Sequence, residues 1–362
     1  MKRTHENRLE AVIDYIQSGL SQKRYVEQKD PCSLRAFQRW CVKYRAEAEQ
    51  QLGMTVKGTS TLYDADGNVK LNWVKRDAVA EDAIAKIKAF ADGLKDDIPR
   101  AKPIPPPQTV IDNLLTCYVL TDLHIGMRSN DWNMDIAEAN IRKYFDEAIA
   151  TAPASSTGVL CFQGDTGHFD SLEPVTPASK HVLDADCGAR QMTRLIIKMI
   201  RYGIEQLLKK HNHVHLIYAE GNHDQYAAIH HSEHMSVHYE YEPRVSVDIS
   251  DNIYHVVEWG NTSLFFHHGH KRNLSDISKT FASKFREVFG RTKYSYGHIG
   301  HYHHVKRKPY GDDGLMDLRI HPTLSGKDDY ALRGGWGSER GANVITYCRE
   351  AGYKGEFMVR PI

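Results

Sequence analysis

No run of apolar residues in the 362-residue sequence approaches the roughly 18 that a membrane-spanning helix needs, so we expect no membrane insertion. The segment from Met1 to Asn7 lacks the apolar core of a secretion signal, and a cytoplasmic location is the default expectation. The six cysteines include no Cys-x-x-Cys pair, which argues against a disulfide framework and against a thiolate zinc site. With 41% hydrophobic and 26% charged residues and a formal net charge of +1, the composition is that of an ordinary globular protein.

Histidine, in contrast, is abundant. The sequence has 21 histidines, and 16 of them lie between His211 and His304. Because histidine is the commonest metal ligand and a frequent acid–base group, this concentration indicates a chemical site in that part of the chain.

Residues 1–53 predict three helices. Apolar residues recur at helical spacing up to Gly19, a second helix spans Gln22 to Gln28, and Ser33 caps a third helix from Leu34 to Leu52. The short turn before the third helix gives a helix-turn-helix outline. This region has ten Lys/Arg against seven Asp/Glu, and its third helix carries Arg35, Arg39, Trp40, Lys43 and Arg45. The region would therefore suit nucleic acid, while a small helical bundle that contacts protein stays an equal alternative.

A domain boundary follows. Residues 61–73 alternate around an Asp-Gly turn and predict a hairpin, and a helix is expected from Asp77 to Leu94. Five prolines between Pro99 and Pro107 predict a stiff linker. We therefore divide the chain into a helix-turn-helix-like domain with hairpin and helix (1–98), a Pro-rich linker (99–110) and an α/β catalytic domain (111–362).

The catalytic domain alternates short apolar strands with helices, which is the α/β signature. Strands are predicted at Thr116–Thr121, Val159–Gln163, Val214–Ala219, Ser263–His267 and Lys293–Tyr296. Each is followed by a polar cluster, and the clusters are Asp122-Leu123-His124, Gly164-Asp165-Thr166-Gly167-His168, Gly221-Asn222-His223-Asp224, His268-Gly269 and Gly300-His301-Tyr302-His303. Ligands of α/β proteins bind beyond the carboxyl ends of strands, so we expect the five clusters to converge on one site.

In this order the clusters resemble those of the calcineurin-like metallophosphoesterase superfamily, whose pattern is D-x-H, G-D, G-N-H-D/E, H-G and G-H-x-H. One block alone would be a weak signal, but all five are present in sequence order. The resemblance covers about residues 115–347 and implies an α/β/β/α sandwich and a metal-dependent hydrolase of phosphoric esters.

The resemblance also implies ligands for two divalent metal ions. The first ion would be held by Asp122, His124 and His303, the second by Asn222, His268 and His301, and Asp165 would bridge them. His270 is the main alternative to His268. Mixed imidazole and carboxylate ligands suit manganese, iron or zinc, and manganese is the expected metal. A hydroxide that bridges the two ions would attack phosphorus in line with the leaving oxygen.

Three more residues would act in catalysis. The resemblance gives His223 as the general acid on the leaving oxygen, and Asp224 could orient its imidazole or set its proton affinity. His168 matches the G-D-x-x-H variant of the Mre11-type nucleases, which favours nucleic-acid phosphodiesters.

Local charge and three further sequence segments also favour nucleic acid as the substrate. Residues 271–308 hold ten Lys/Arg against two Asp/Glu, a local field that suits a polyanion unless this run is a solvated helix face. Residues 176–179, 183–186 and 243–245, with the helical N-terminus, resemble phage and prophage members that join a helix-turn-helix segment to a metallophosphoesterase domain.

We therefore expect a two-metal phosphodiesterase that acts on DNA, with single strands or ends preferred, and that could form a homo-oligomer. The alternatives are a phosphodiesterase or phosphatase for cyclic nucleotides or other small molecules, and a DNA-binding regulator with a silent catalytic domain.

Overall fold

The computed structural model describes residues 5–18, 20–29, 32–51, 54–63, 69–78, 99–177, 180–303, 306–308, 314–326 and 340–362. The chain forms two compact units, Met1–Asp92 and Gly93–Ile362. The finer division at residues 98 and 110 stays a prediction.

The first unit begins with three helices, α1 (His5–Ser18), α2 (Gln22–Gln28) and α3 (Leu34–Gln51), as predicted. The predicted cap is confirmed, because the Ala36 N–H donates to Ser33 Oγ at 3.3 Å. The aromatic ring of Phe37 on α3 stacks on Tyr25 of α2 at 5.1 Å and meets the edge of Tyr15 on α1 at 5.4 Å. These contacts give the three helices a core of their own. The helix-turn-helix function stays a prediction.

The predicted hairpin is confirmed as β1 (Met54–Tyr63) paired antiparallel with β2 (Val69–Ala78). The helix expected from Asp77 begins inside β2, and its remaining residues lie outside the described part of the chain.

The second unit contains eleven described strands and five described helices. In chain order they are β3 (Ile111–Leu120), α4 (Met134–Thr151), β4 (Ser155–Gln163), α5 (Ala189–Leu208), β5 (His213–Ala219), α6 (Gln225–His238), β6 (Val245–Val247), β7 (His255–Trp259), β8 (Thr262–His267), α7 (Ile277–Lys284), α8 (Arg286–Arg291), β9 (Tyr294–Ile299), β10 (Lys306–Lys308), β11 (Asp317–Ile320), β12 (Ala342–Cys348) and β13 (Gly352–Val359). The five predicted strands are confirmed as β3, β4, β5, β8 and β9.

The strands form two sheets, in the orders β13-β12-β3-β4-β5-β6 and β10-β11-β9-β8-β7. Strands β3 to β6 are mutually parallel, and β8 is parallel to β9. The strands that the sequence analysis did not identify include the edge strands β6 and β7, which are short and partly exposed and so give a weak apolar signal.

Alternation along the strands explains the layers. On β3, Cys117 and Val119 face the core between the two sheets, whereas Tyr118 and Leu120 face the core under the helices. On β8, Phe266 faces the first of these cores, and Phe265 faces a third core together with α7. The predicted α/β/β/α sandwich is therefore confirmed. Within the described ranges, no helix has the length and apolarity to cross a bilayer.

The Pro-rich segment 99–110 lies along the surface of the second unit. The guanidinium of Arg244 donates to the Ile104 carbonyl at 2.7 Å, and the Ile104 N–H donates to a Glu242 carboxylate oxygen at 3.3 Å. His238 Nδ1 donates to the Pro99 carbonyl. The first half of the segment predicted as a linker is therefore attached to the rest of the second unit.

Candidate metal centre

The five polar clusters follow the carboxyl ends of β3, β4, β5, β8 and β9, and hydrogen bonds join them. The Asp122 N–H donates to the Gly164 carbonyl at 3.0 Å, and the Gly300 N–H donates to the His268 carbonyl at 2.9 Å. The two sheets are linked by the His301 N–H, which donates to Asp122 Oδ2 at 2.9 Å. The expected convergence on one site is therefore present.

The backbone of this site is strained. Five of the predicted ligand residues have a positive φ, namely Asp122 (53°), His124 (43°), Asp165 (50°), His301 (69°) and His303 (52°). A non-glycine residue in this left-handed region costs roughly 1–3 kcal/mol and persists only where the surroundings enforce it. Strain concentrated in this way marks a functional site without reference to any motif.

A first group of candidate ligands consists of Asp122, His124 and His303, whose ligand atoms lie within 4.8 Å of one another. Asp122 Oδ1 is 3.1 Å from His303 Nε2. Its other oxygen, Oδ2, accepts hydrogen bonds from the Thr121 hydroxyl at 2.6 Å and from a backbone N–H. This fixes the carboxylate so that Oδ1 faces the site, and the group is the first ligand set implied by the sequence.

A second group consists of Asp165, His268 and His301, again within 4.8 Å. His268 Nδ1 donates to the Gln163 carbonyl at 2.9 Å, which leaves Nε2 for a metal, 3.1 Å from Asp165 Oδ2. The same Nε2 is 3.8 Å from Asp122 Oδ1, so the two groups adjoin. His270 instead lies beside Glu220, at 3.9 Å, and is absent from the group. Between the two alternatives, the structure thus brings His268 into the cluster.

The buried polar atoms of the site indicate whether its residues could bind metal ions. Among the described residues, Asn222 Oδ1 is buried with no hydrogen-bond partner, and Asp122 Oδ1 and His268 Nε2 are buried with only the ion-pair contacts at 3.1 Å to His303 and Asp165. Such atoms are costly unless a cation or water meets them. A carboxylate, an amide oxygen and imidazoles are together a donor set for divalent transition metals. The residues therefore fit divalent metal binding, and Asn222 stays a predicted ligand.

The charges of the site point the same way. Burial alone would raise the pKa of Asp122 and of Asp165, but the neighbouring imidazoles lower both pKa values. Burial alone would lower the pKa of His268, yet the carboxylates of Asp165 and Asp122 raise it to about 10. Two buried carboxylates therefore require positive charge between them, and divalent ions would supply it.

The predicted catalytic histidines lie beside the first group. His223 Nδ1 donates to the His168 carbonyl at 2.8 Å, and His168 Nδ1 is 3.4 Å from His124 Nδ1. The ligand atoms of these three histidines lie within 4.8 Å of one another. Burial, reinforced by the charge of His223, lowers the pKa of His168 to about 3, so its ring is neutral near pH 7. His223 is only partly buried.

Asp224 does not occupy the place expected of it. Its buried carboxylate accepts the N–H groups of Asp165 at 3.0 Å, Thr166 at 2.8 Å, Gly167 at 3.3 Å and Gly221 at 2.9 Å. The His223 imidazole is held instead by the His168 carbonyl. Asp224 is therefore a positioning residue for the Asp165 loop, because its side chain turns toward these amides and away from the neighbouring histidine.

The structure adds residues that the sequence analysis did not identify. The Thr323 hydroxyl donates to the Asp122 carbonyl at 2.6 Å, and no motif signals this residue, which lies 201 positions away. The motif glycines did carry a signal. A Cβ on Gly221 would lie 2.0 Å from Asp165 Oδ1, and one on Gly300 would lie 1.9 Å from Thr121 Oγ1. These glycines are needed because the loops touch.

Part of the basic stretch 271–308 lies away from the site. Arg291 pairs with Glu258 at 2.6 Å, and Glu258 lies opposite Ser263 in the sheet. Ser263 precedes His268 by five residues, which is about 16 Å along a strand. Lys271 directly follows the His268-Gly269-His270 loop, whereas Lys293 precedes the amino end of β9. The charge count along the chain therefore overstates the charge at the metal centre.

No protein-family model matches the chain, and no curated protein matches it. Among solved structures, it is similar to a predicted phosphoesterase from Streptococcus pneumoniae TIGR4 (14% identity, 68% of this chain, 98% of that chain, TM-score 0.29). It is also similar to the phosphopantetheinyl hydrolase of Mycobacterium tuberculosis (11% identity, 70% of this chain, 98% of that chain, TM-score 0.29). A third similar structure is purple acid phosphatase PPD1 of yellow lupin (8% identity, 71% of this chain, 55% of that chain, TM-score 0.33).

Proposed function

We propose that the protein is a two-metal phosphodiesterase that cleaves DNA, at single strands or ends, with manganese as its metal. The observation that carries this proposal is the adjacency of two ligand groups, Asp122/His124/His303 and Asp165/His268/His301, with the imidazole of His223 beside the first.

The protein residues divide the work between charge and proton transfer. When bound, two divalent ions supply Lewis-acid polarisation of the phosphoryl oxygens and acidify water. Asp122 and Asp165 provide the negative charge that places such ions, and the carbonyl of Gln163 orients the His268 ring toward them. Asn222 completes the second ligand set in this proposal, with its buried Oδ1.

His223 is the group that we expect to protonate the leaving oxygen. Its Nδ1–H donates to the His168 carbonyl, so Nε2 is the nitrogen that can hold and release a proton. His223 is only partly buried, which is compatible with contact with a substrate. His168 supports this role through its carbonyl and, through its ring, adjoins the ligand His124.

DNA is the proposed substrate because of two features. His168 occupies the position at which the Mre11-type nucleases also have histidine, and the first unit carries an excess of basic residues. A small-molecule phosphodiesterase is the second candidate, and the separation of Arg291 from the metal centre favours it. Both candidates use the same metal centre and differ only in substrate.

The test is cleavage of an end-labelled single-stranded oligonucleotide by the full chain with Mn²⁺, with 3′,5′-cyclic AMP as the competing substrate. We expect shortened oligonucleotide and little hydrolysis of the cyclic nucleotide. Hydrolysis of the cyclic nucleotide alone would select the second candidate. Absence of both activities in protein that carries stoichiometric metal would refute the proposed function.

Variants assign the roles. His223→Ala should retain metal and lose most turnover, whereas Asp165→Ala should lose both. His181→Ala, which removes an exposed histidine, is the matched control and should behave as the wild type. Metal content by plasma mass spectrometry separates the two effects, and wild-type turnover in His223→Ala would contradict its role as the acid.

A further inference from the structure

Helix α3 of the first unit has one buried face and one exposed face. Its buried face carries Phe37, Cys41, Tyr44 and Ala48, the residues that hold it in the helical core. Exposed residues follow the i, i+3, i+4, i+7 spacing of a single stripe on the other face, and they are Arg35, Gln38, Arg39 and Val42. The stripe is therefore not needed for the packing of the three helices.

The chemistry of the stripe is unusual for a solvated surface. Residues 31–46 contain no aspartate or glutamate, the first acidic residue of the helix being the exposed Glu47, and Lys43 and Arg45 are exposed beside the stripe. Val42 is 87% exposed in the middle of this basic face. Trp40, which the sequence analysis placed among the basic residues of this helix, is instead partly buried against Phe37, with Arg8 over its ring at 5.7 Å. The exposed face thus combines cations, one amide and one aliphatic side chain.

This combination matches the groups at the base edges of duplex DNA. Arginine donates two hydrogen bonds to guanine, glutamine pairs with adenine, and an aliphatic group contacts the methyl of thymine. A major groove about 12 Å wide accepts one helix whose stripe faces the bases. An acidic protein as the partner would account for the basic residues of the stripe. It would not account for Gln38 and Val42, which lie among them.

We propose that the α3 stripe, Arg35, Gln38, Arg39 and Val42, contacts base edges in the major groove of duplex DNA. Lys43, together with the exposed residues Lys23 and Arg24 of α2, contacts the phosphates. The inference rests on the proposed function for the kind of nucleic acid, and it adds a second site, distinct from the metal centre, that would hold a duplex. Binding at this site needs no catalysis.

The test measures binding of a fluorescein-labelled 30-base-pair duplex of random sequence by anisotropy, with the full chain in EDTA so that no cleavage occurs. We expect Arg35→Ala/Arg39→Ala to weaken binding at least about tenfold and to flatten its salt dependence. The control Lys29→Ala/Lys209→Ala removes the same charge from exposed positions outside the stripe and should change binding less than about twofold. Circular dichroism confirms that both doubles are folded.

A second arm tests base contact. Duplexes selected by the wild type from a random library should share a preferred sequence, and Gln38→Ala should lose that preference while it retains affinity for random duplex. Equal binding by Arg35→Ala/Arg39→Ala and wild type would overturn the proposal. So would equal competition by heparin and duplex with no selected sequence. Duplex binding by a chain that cleaves nothing with Mn²⁺ would refute the nuclease and support the α3 site.

Discussion

Asp224 either holds the Asp165 loop or acts on His223, and these two roles predict different effects of its removal on stability and metal binding. Its carboxylate is fully buried and accepts four backbone N–H groups from the loops that carry Asp165 and Gly221. Asp224→Ala removes both oxygens and so leaves all four N–H groups without their acceptor at once. A buried N–H without an acceptor costs about 1–3 kcal/mol, and water that enters the space of the lost carboxylate would satisfy some of the four. We therefore expect a loss of about 3–5 kcal/mol in the free energy of unfolding.

The same change should also reduce metal binding, because Asp165 is held in its left-handed conformation by this network. Asp224→Asn keeps one oxygen acceptor and turns an NH₂ group toward the remaining amides, so its loss should be about half as large. Urea unfolding by circular dichroism measures stability, and metal content after dialysis at limiting Mn²⁺ measures binding. Asp146→Ala, which removes an exposed carboxylate bound to the Tyr202 hydroxyl, is the control.

One outcome would refute this reasoning. If Asp224→Ala unfolded at the wild-type urea concentration and retained wild-type metal, yet lost turnover, Asp224 would act on the chemistry through His223 rather than on the loop. The four hydrogen bonds would then be dispensable, and the expectation drawn from sequence would be restored.

Three further predictions test other parts of the second unit. Arg244→Ala should lower the free energy of unfolding by about 2–4 kcal/mol, since its guanidinium donates to four backbone carbonyls that include Ile104, and protease cleavage within residues 99–110 should become faster. Gly221→Ala should lose metal without a large change in helix content, because the added Cβ would displace the Asp165 carboxylate; normal metal content would contradict the contact. Burial alone would raise the pKa of Asp248, but the hydrogen bond and charge of His255 lower it, so its stabilising effect is present above pH 4 and is lost as the pH falls below it. In urea titrations, Asp248→Asn should therefore have a lower free energy of unfolding than the wild type at pH 7 and a smaller difference from it at pH 3. An equal difference at both pH values would contradict this prediction.

The sequence predicted best those features that depend on a few consecutive residues, such as buried strands and the residues that directly follow them. Parallel strands buried on both faces produce continuous apolar runs, which is why β3, β4 and β5 could be predicted and why the residues after them, such as Asp122 and Asp165, could be placed together. Cap chemistry is equally local, as Ser33 shows. These features depend on a few consecutive residues.

Prediction failed where a contact depends on the direction of a side chain or on a segment that is distant in the sequence. Asp224 is next to His223 in sequence, but the turn into α6 sends its carboxylate to the amides of another loop. Thr323 reaches Asp122 from a loop after β11, and nothing near Thr323 in the sequence indicates that contact. A charge count has the same weakness, because consecutive residues 271–308 run from one end of the sheet to the other.

The strain and the hydrogen bonds of the metal centre are parts of one arrangement. Left-handed Asp122 and Asp165 bring two carboxylates to the same place, where burial and mutual repulsion oppose them. The Thr121 hydroxyl and the N–H of His301 hold Asp122, while Asp224, through its backbone contacts, holds Asp165, so neither carboxylate can relax away from the other. The inward atoms Asp122 Oδ1 and His268 Nε2 contact only other candidate ligands, His303 and Asp165, at 3.1 Å. A site whose outer contacts are complete and whose inner atoms face one another is organised before its ligand arrives, and the ligand that its buried carboxylates require is a cation.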